Sequence, residues 1–120
     1  MAWTHYRDLV VWQKAMDLVD AVYHLTRRLP KEELFALSDQ MRRAAVSVPS
    51  NIAEGHGRQT DKEFRQFLSI AKGSVFEIET QIMICIRQRY LTEDQAAAAL
   101  SLCGEVGKIL TRLIAPAAKN

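Results

Sequence analysis

The helical spacing of apolar residues between Phe64 and Ile86 constrains the fold more than any other feature of the sequence. Apolar side chains return there every three or four positions and form one continuous stripe on an α-helix. The stripe consists of Phe64, Phe67, Leu68, Ala71, Val75, Ile78, Ile82, Cys85 and Ile86. Thr60 and Glu63 have the spacing of a capping box. We therefore predict a helix from this box to about Tyr90, on the order of 45 Å long.

The two terminal thirds of the chain show the same periodicity. A first helix is predicted over about residues 6–28, because apolar spacing persists until Pro30, which cannot continue a helix. A last helix is predicted to open at a second capping box, formed by Thr92 and Gln95, and to run to about residue 114.

The remaining helix contains a proline. Ser38 is a candidate N-cap, and apolar residues at helical spacing follow it: Met41, Ala44, Ala45, Val48 and Ile52. Pro49 has no N–H for the carbonyl of Ala45, so we predict a kink there. A full break is the alternative, because Asn51 and Glu54 have capping-box spacing.

Composition supports long, uninterrupted elements in one domain. The 120 residues include only 5 Gly and 3 Pro, and the connections between the helical segments are short, which is typical of antiparallel neighbours. We predict an all-α, antiparallel up-down four-helix bundle that spans residues 1–120 as a single domain, with an ordered core of about 6–114.

The sequence gives no sign of catalysis, a metal site, a cofactor or a membrane span. Apart from Glu54 near His56, the histidines His5, His24 and His56 lack partners at metal-ligand spacing. No nucleophile motif surrounds Ser47 or Ser50. No apolar stretch approaches the roughly 18 residues that cross a bilayer, and the charged N-terminus does not resemble a signal peptide. We expect a cytoplasmic protein with free cysteines that is not an enzyme.

Two features predict self-association. The apolar arc of the first helix, widened by Val11 and Leu18, covers about 200°, against roughly 100° for an ordinary surface helix. Phe76 and Met83 lie almost opposite the main stripe of the third helix. We predict that these four residues contribute to an oligomer interface; scattered surface hydrophobes are the alternative.

Basic residues concentrate between residues 42 and 72, where only three acidic residues occur. The candidate nucleic-acid-binding residues are Arg42, Arg43, Arg58, Lys62 and Arg65. Arginine suits phosphate because its planar fork binds bidentately. The alternative is a solvated face with the intrahelical pairs Asp39–Arg43 and Asp61–Arg65, and charge alone favours this alternative.

The segment QMRRAAVSVPSNIAEGHGR, residues 40–58, resembles the signature of the four-helix bundle proteins encoded by intervening sequences of bacterial 23S ribosomal RNA genes. VWQKAMDLVDAVYHLT in the first helix and FRQFLSIAKGSVFEIETQI in the third are similar to the same family. The resemblance extends from about Asp8 to Ile114. The family in turn resembles the accessory protein of diversity-generating retroelements.

The resemblance implies an up-down bundle without enzymatic activity, a homo-oligomeric ring that is commonly a pentamer, and binding of RNA or DNA. It also implies a protein partner, such as a reverse transcriptase, for the retroelement relatives. Our leading hypothesis is therefore a non-catalytic homo-oligomer that binds nucleic acid. A protein-interaction scaffold, in which the arginines form salt bridges between subunits, is the alternative hypothesis.

Overall fold

The computed structural model describes residues 5–115, and these form four α-helices. They are α1 (Val10–Thr26), α2 (Leu37–His56), α3 (Asp61–Arg87) and α4 (Glu93–Ile114), with short 3₁₀ turns at Tyr6–Asp8 and Lys31–Glu33. No strand occurs among these residues. The prediction of an all-α fold with four helices is confirmed. None of the described helices is both long enough and apolar enough to span a bilayer.

Contacts between α2 and α3 pair the start of one helix with the end of the other. Met41 meets Cys85, with the two sulfur atoms 3.7 Å apart, and Ser74 donates a 2.8 Å hydrogen bond to Ser47. Near the turn, Gly55 packs against Phe67. Residue numbers thus fall along α3 as they rise along α2, as in antiparallel neighbours. The up-down order of all four helices stays a prediction.

The core lies between the helices and contains the predicted apolar stripes. Val11 is 2% exposed and Leu18 is fully buried, so the prediction that they belong to an oligomer interface is wrong. Helix α1 packs against both α2 and α4, and a helix with two neighbours needs a wider apolar arc than a surface helix. The arc of about 200° therefore reflects packing within one chain.

Thr60 and Thr92 cap α3 and α4 as the sequence predicts, but only half of the predicted capping box forms at α3. The Thr60 hydroxyl accepts a 3.1 Å bond from the backbone N–H of Glu63. At α4 the box is complete, because Thr92 and Gln95 each accept from the backbone of the other, at 3.1 and 3.0 Å. Ser38 is not a cap: α2 begins at Leu37, and Ser38 is already buried inside its first turn.

Helix α3 ends at Arg87 rather than near Tyr90 because a Schellman motif closes it. Arg89 has a φ of 66°, and its N–H bonds the carbonyl of Ile86 at 3.0 Å. The N–H of Tyr90 reaches back to the carbonyl of Cys85 at 2.9 Å. These two bonds satisfy carbonyls that the helix end would otherwise leave unpaired.

Helix α2 continues through Pro49 without interruption, so the alternative of a full break is wrong. The predicted kink stays a prediction. Asn51 does not start a new helix; its side-chain amide donates to the Ser47 carbonyl at 2.8 Å and to the Ser47 hydroxyl at 2.9 Å. Since Ser47 also accepts from Ser74 of α3, these polar groups tie the two helices together beside the proline.

Candidate nucleic-acid interface

The turn between α2 and α3 is held tightly and presents Arg58 to solvent. An ideal Cβ on Gly55 would lie 2.6 Å from the Cβ of Phe67, so the absence of a side chain lets the two helices meet closely. Arg58 forms a 3.1 Å ion pair with Glu54, and its guanidinium lies 4.7 Å from the centre of the Phe67 ring. Arg58 is thus oriented by both helices.

Lys62 and Arg65 follow on the first two turns of α3. The predicted Asp61–Arg65 pair does not form, and neither Lys62 nor Arg65 has an ion pair within residues 5–115. Lys62 is exposed and Arg65 is partly buried. With Arg58 they lie at one end of the bundle, and we call these three cations the turn cluster. Arg58 approaches α3 from the side of Phe67, which at about 100° per residue faces about 160° away from Arg65.

Arg42 and Arg43 lie near the start of α2, away from the turn cluster. Arg42 donates to the Thr26 hydroxyl at 2.9 Å and lies 5.3 Å from the centre of the Tyr23 ring, so it joins α2 to the end of α1. Arg43 forms the predicted pair with Asp39 at 2.9 Å. At 1.5 Å per residue, Arg42 lies about 21 Å from the end of α2 at His56. The five candidates therefore do not form one surface, because Arg42 and Arg43 lie near the start of α2 and the turn cluster lies beyond its end.

A groove between α3 and α4 adds cations that sequence reasoning did not assign to the site. Its lining comprises Lys72, Phe76, Glu79, Cys103, Gly104, Gly107, Lys108, Thr111 and Arg112. Lys108 and Arg112 come from the end of the chain, so only the fold brings them to the helix that carries the turn cluster. Their sole sequence signal is an i,i+4 spacing on the polar side of α4.

Large apolar side chains remain exposed on the single chain. Phe76 and Met83 are 55% and 57% exposed, as a role outside the core requires, and their part in an oligomer interface stays a prediction. The others are Val10, Met16, Leu34, Phe35, Val46, Ile70, Ile84 and Leu113. Phe35 is the extreme case at 91%.

The potential metal ligands within residues 5–115 are dispersed. No three His, Cys, Asp or Glu residues of this part lie close enough to hold a metal ion. Cys85 and Cys103 are free and buried. Burial, with a smaller contribution from Glu33, raises the pKa of Cys85 to about 11; burial, then Glu79, raises the pKa of Cys103 to about 12. Both thiols are therefore protonated near neutrality and are poor nucleophiles.

Comparison with known proteins agrees with these observations. The family model described as 23S rRNA-intervening sequence protein matches residues 7–112. A crystal structure of a protein with unknown function from the S23 ribosomal protein family of Bacteroides thetaiotaomicron is similar, with a TM-score of 0.82 and 27% identity. The match covers 89% of this chain and 100% of that one. No curated protein matches. The four helices and the family match over nearly the whole chain place this protein in the 23S rRNA-intervening sequence protein family.

Proposed function

We propose that this protein is a non-catalytic, self-associating four-helix bundle that binds nucleic acid through the turn cluster. The observation that carries the proposal is the placement of Arg58, Lys62 and Arg65 around one turn. Within residues 5–115 the single ion pair of these three cations joins Arg58 to Glu54. Unpaired cations at one end of a rigid bundle suit phosphate groups.

The geometry of Arg58 favours phosphate recognition over a purely structural role. Glu54 and Phe67 hold the guanidinium from two sides, while the side chain is 43% exposed. A pre-oriented guanidinium loses less conformational entropy on binding an anion. Because these contacts would be made to phosphates rather than to base edges, binding should show little sequence preference and should include both RNA and DNA.

Self-association would place several copies of a weak nucleic-acid-binding site in one particle. Three cations per chain support only modest affinity, and linked copies of the site raise the apparent affinity without new contacts. Exposed apolar side chains such as Met83 supply surface that a second copy would cover.

Fluorescence anisotropy with a labelled single-stranded RNA tests the proposal. Wild type should bind at low salt, and its affinity should fall with salt at a log–log slope of roughly −0.7 per phosphate contacted. The double variant Arg58→Ala/Lys62→Ala should bind more weakly and with a shallower slope. Arg43→Ala, at the far end of α2, is the matched control and should bind like wild type. Equal binding by wild type and the double variant would show that the cluster is the wrong surface.

A protein-interaction scaffold is the second candidate. The observation that favours it is the exposed pair Leu34 and Phe35, which are 44% and 91% exposed beside the 3₁₀ turn Lys31–Glu33. An aromatic side chain this exposed is more typical of a docking surface than of a lone bundle. Absence of saturable binding to RNA and DNA at low salt would leave this function as the better one.

A further inference from the structure

We propose that the α3–α4 groove holds a single-stranded nucleic acid, with Phe76 as the platform on which one base stacks. The inference rests on the proposed function and narrows its ligand from nucleic acid in general to single strands. It also adds Phe76, Lys108 and Arg112 to the site. Its basis is the combination of an exposed aromatic ring and a cationic groove, which are the two elements of sequence-independent single-strand binding.

The charge of the groove suits a polyanion. Lys72, Lys108 and Arg112 line it together with a single acidic residue, Glu79, so the lining carries a net charge of +2. None of the three cations forms an ion pair within the described part of the chain. A second copy of the same groove would bring like charges together, whereas phosphates neutralise them and release counterions.

Phe76 provides an exposed aromatic ring against which a base can stack. Its ring is 55% exposed, and the Nζ of Lys72 lies over one face of the ring, 5.7 Å from its centre. A base would therefore stack on the opposite face, with an ammonium group close enough to reach phosphate. The bases of a single strand can leave their neighbours and stack on an aromatic side chain, whereas those of a duplex are already stacked and paired. The ring therefore favours single strands.

The groove continues the row formed by Lys62 and Arg65, two members of the turn cluster. Lys62, Arg65, Lys72 and Phe76 follow one another at spacings of three, seven and four residues, which places them on one side of α3. Lys62 and Phe76 are about 21 Å apart along the helix axis. A strand whose phosphates meet Lys62 and Arg65 can thus continue along α3 into the groove.

The floor of the groove leaves room for the strand. Gly104 and Gly107 lie on the α4 side, and a Cβ on either residue would have no atom of the described chain within 4 Å. The alternative occupant is a second copy of this chain, in which case Phe76 would be an interface residue. A bound single strand and a second copy of the chain predict different effects of substituting Phe76 on RNA affinity and on oligomer mass.

The test compares Phe76→Ala with Ile70→Ala, a control on another side of α3 with nearly the same exposure (52%). The probes are a fluorescein-labelled oligouridylate of about 12 nucleotides and an RNA duplex of the same length. Phe76→Ala should weaken binding of the single strand by about 5- to 150-fold and leave duplex binding unchanged. Phe76→Tyr should bind like wild type, and so should Ile70→Ala.

A second variant tests the cations. Lys108→Ala/Arg112→Ala should make the salt slope for the single strand shallower by about 1.4, as expected for two lost phosphate contacts. Unchanged single-strand affinity in Phe76→Ala would overturn the groove inference alone, provided that wild type binds. Failure of wild type to bind either probe would overturn the proposed function itself. A lower oligomer mass of Phe76→Ala by light scattering, with unchanged affinity per chain, would assign the groove to a second copy.

Discussion

Gly55 and Phe67 approach so closely that a methyl group on residue 55 would lie 2.6 Å from the Phe67 Cβ. Gly55→Ala should therefore push the end of α2 away from α3 and lower the free energy of unfolding by about 1–3 kcal/mol, as overpacking does. Urea denaturation measures the change. Gly57→Ala is the control, because its nearest neighbour, the Glu54 carbonyl oxygen, would lie at an ordinary 3.6 Å. Equal stabilities of the two variants would contradict the steric argument.

Arg42 is expected to stabilise the fold rather than to bind nucleic acid. Arg42→Ala removes its bond to the buried Thr26 hydroxyl and its contact with Tyr23, so it should destabilise the protein by about 1–2 kcal/mol. Arg43→Ala should change stability by less than about 0.5 kcal/mol, because its pair with Asp39 is exposed. Thermal and urea unfolding of both variants provide the comparison. Loss of RNA binding by folded Arg42→Ala would show instead that the residue belongs to the interface.

Self-association should be visible in the mass of the protein. A chain of 13.6 kDa that oligomerises will scatter light as a multiple of that mass at tens of micromolar. Met83→Glu should shift the distribution toward the monomer, since it places a charge on the predicted interface. Ile70→Glu, a substitution at 52% exposure on another side of α3, is the control. If the wild-type protein is monomeric, the proposal of self-association is wrong. RNA binding by single chains would then be tested separately by the anisotropy measurement.

The two buried thiols make stability depend on pH at the alkaline end. The pKa is about 11 for Cys85 and about 12 for Cys103, against a reference value of 9.0. Below pH 9 the two thiols are protonated in both the folded and the unfolded chain. Above pH 9 the thiols of the unfolded chain lose their protons while those of the folded chain retain them, so the free energy of unfolding falls as pH rises. Urea midpoints between pH 8 and pH 10 should decline, and the decline should be shallower in Cys103→Ala. If the urea midpoints of the wild type and of Cys103→Ala fall equally with pH, the decline does not arise from the buried thiol of Cys103.

Local signals predicted most of the fold because they are repeated many times along each helix. The stripe of α3 and the capping boxes at Thr60 and Thr92 each encode an element within a few residues. The same logic misassigned Val11 and Leu18, since the width of an apolar arc does not distinguish a second neighbouring helix from a partner chain. It also placed the end of α3 too late, because the closing residue, Arg89, is not the glycine that usually marks such an end.

The candidate site was less predictable because it depends on packing between distant segments. Sequence proximity grouped Arg42 with Arg58, whereas about 21 Å of α2 lies between Arg42 and the end of the helix that precedes Arg58. The partnership of Phe76 with Lys108 and Arg112 arises only when α4 lies beside α3. Contacts across helices are set by register, which no single segment of the chain encodes.

The glycines of α4 have a consequence for local dynamics. Each glycine in a helix interior lowers its intrinsic stability by about 1 kcal/mol relative to alanine, and Gly104 and Gly107 lie one turn apart in the middle of α4. Their amides and those of the following turn should therefore exchange with deuterium faster than the corresponding amides of α3, through brief local opening. A ligand seated against this helix would close that route, so protection of α4 on adding single-stranded RNA would report occupancy of the groove without any label on the nucleic acid.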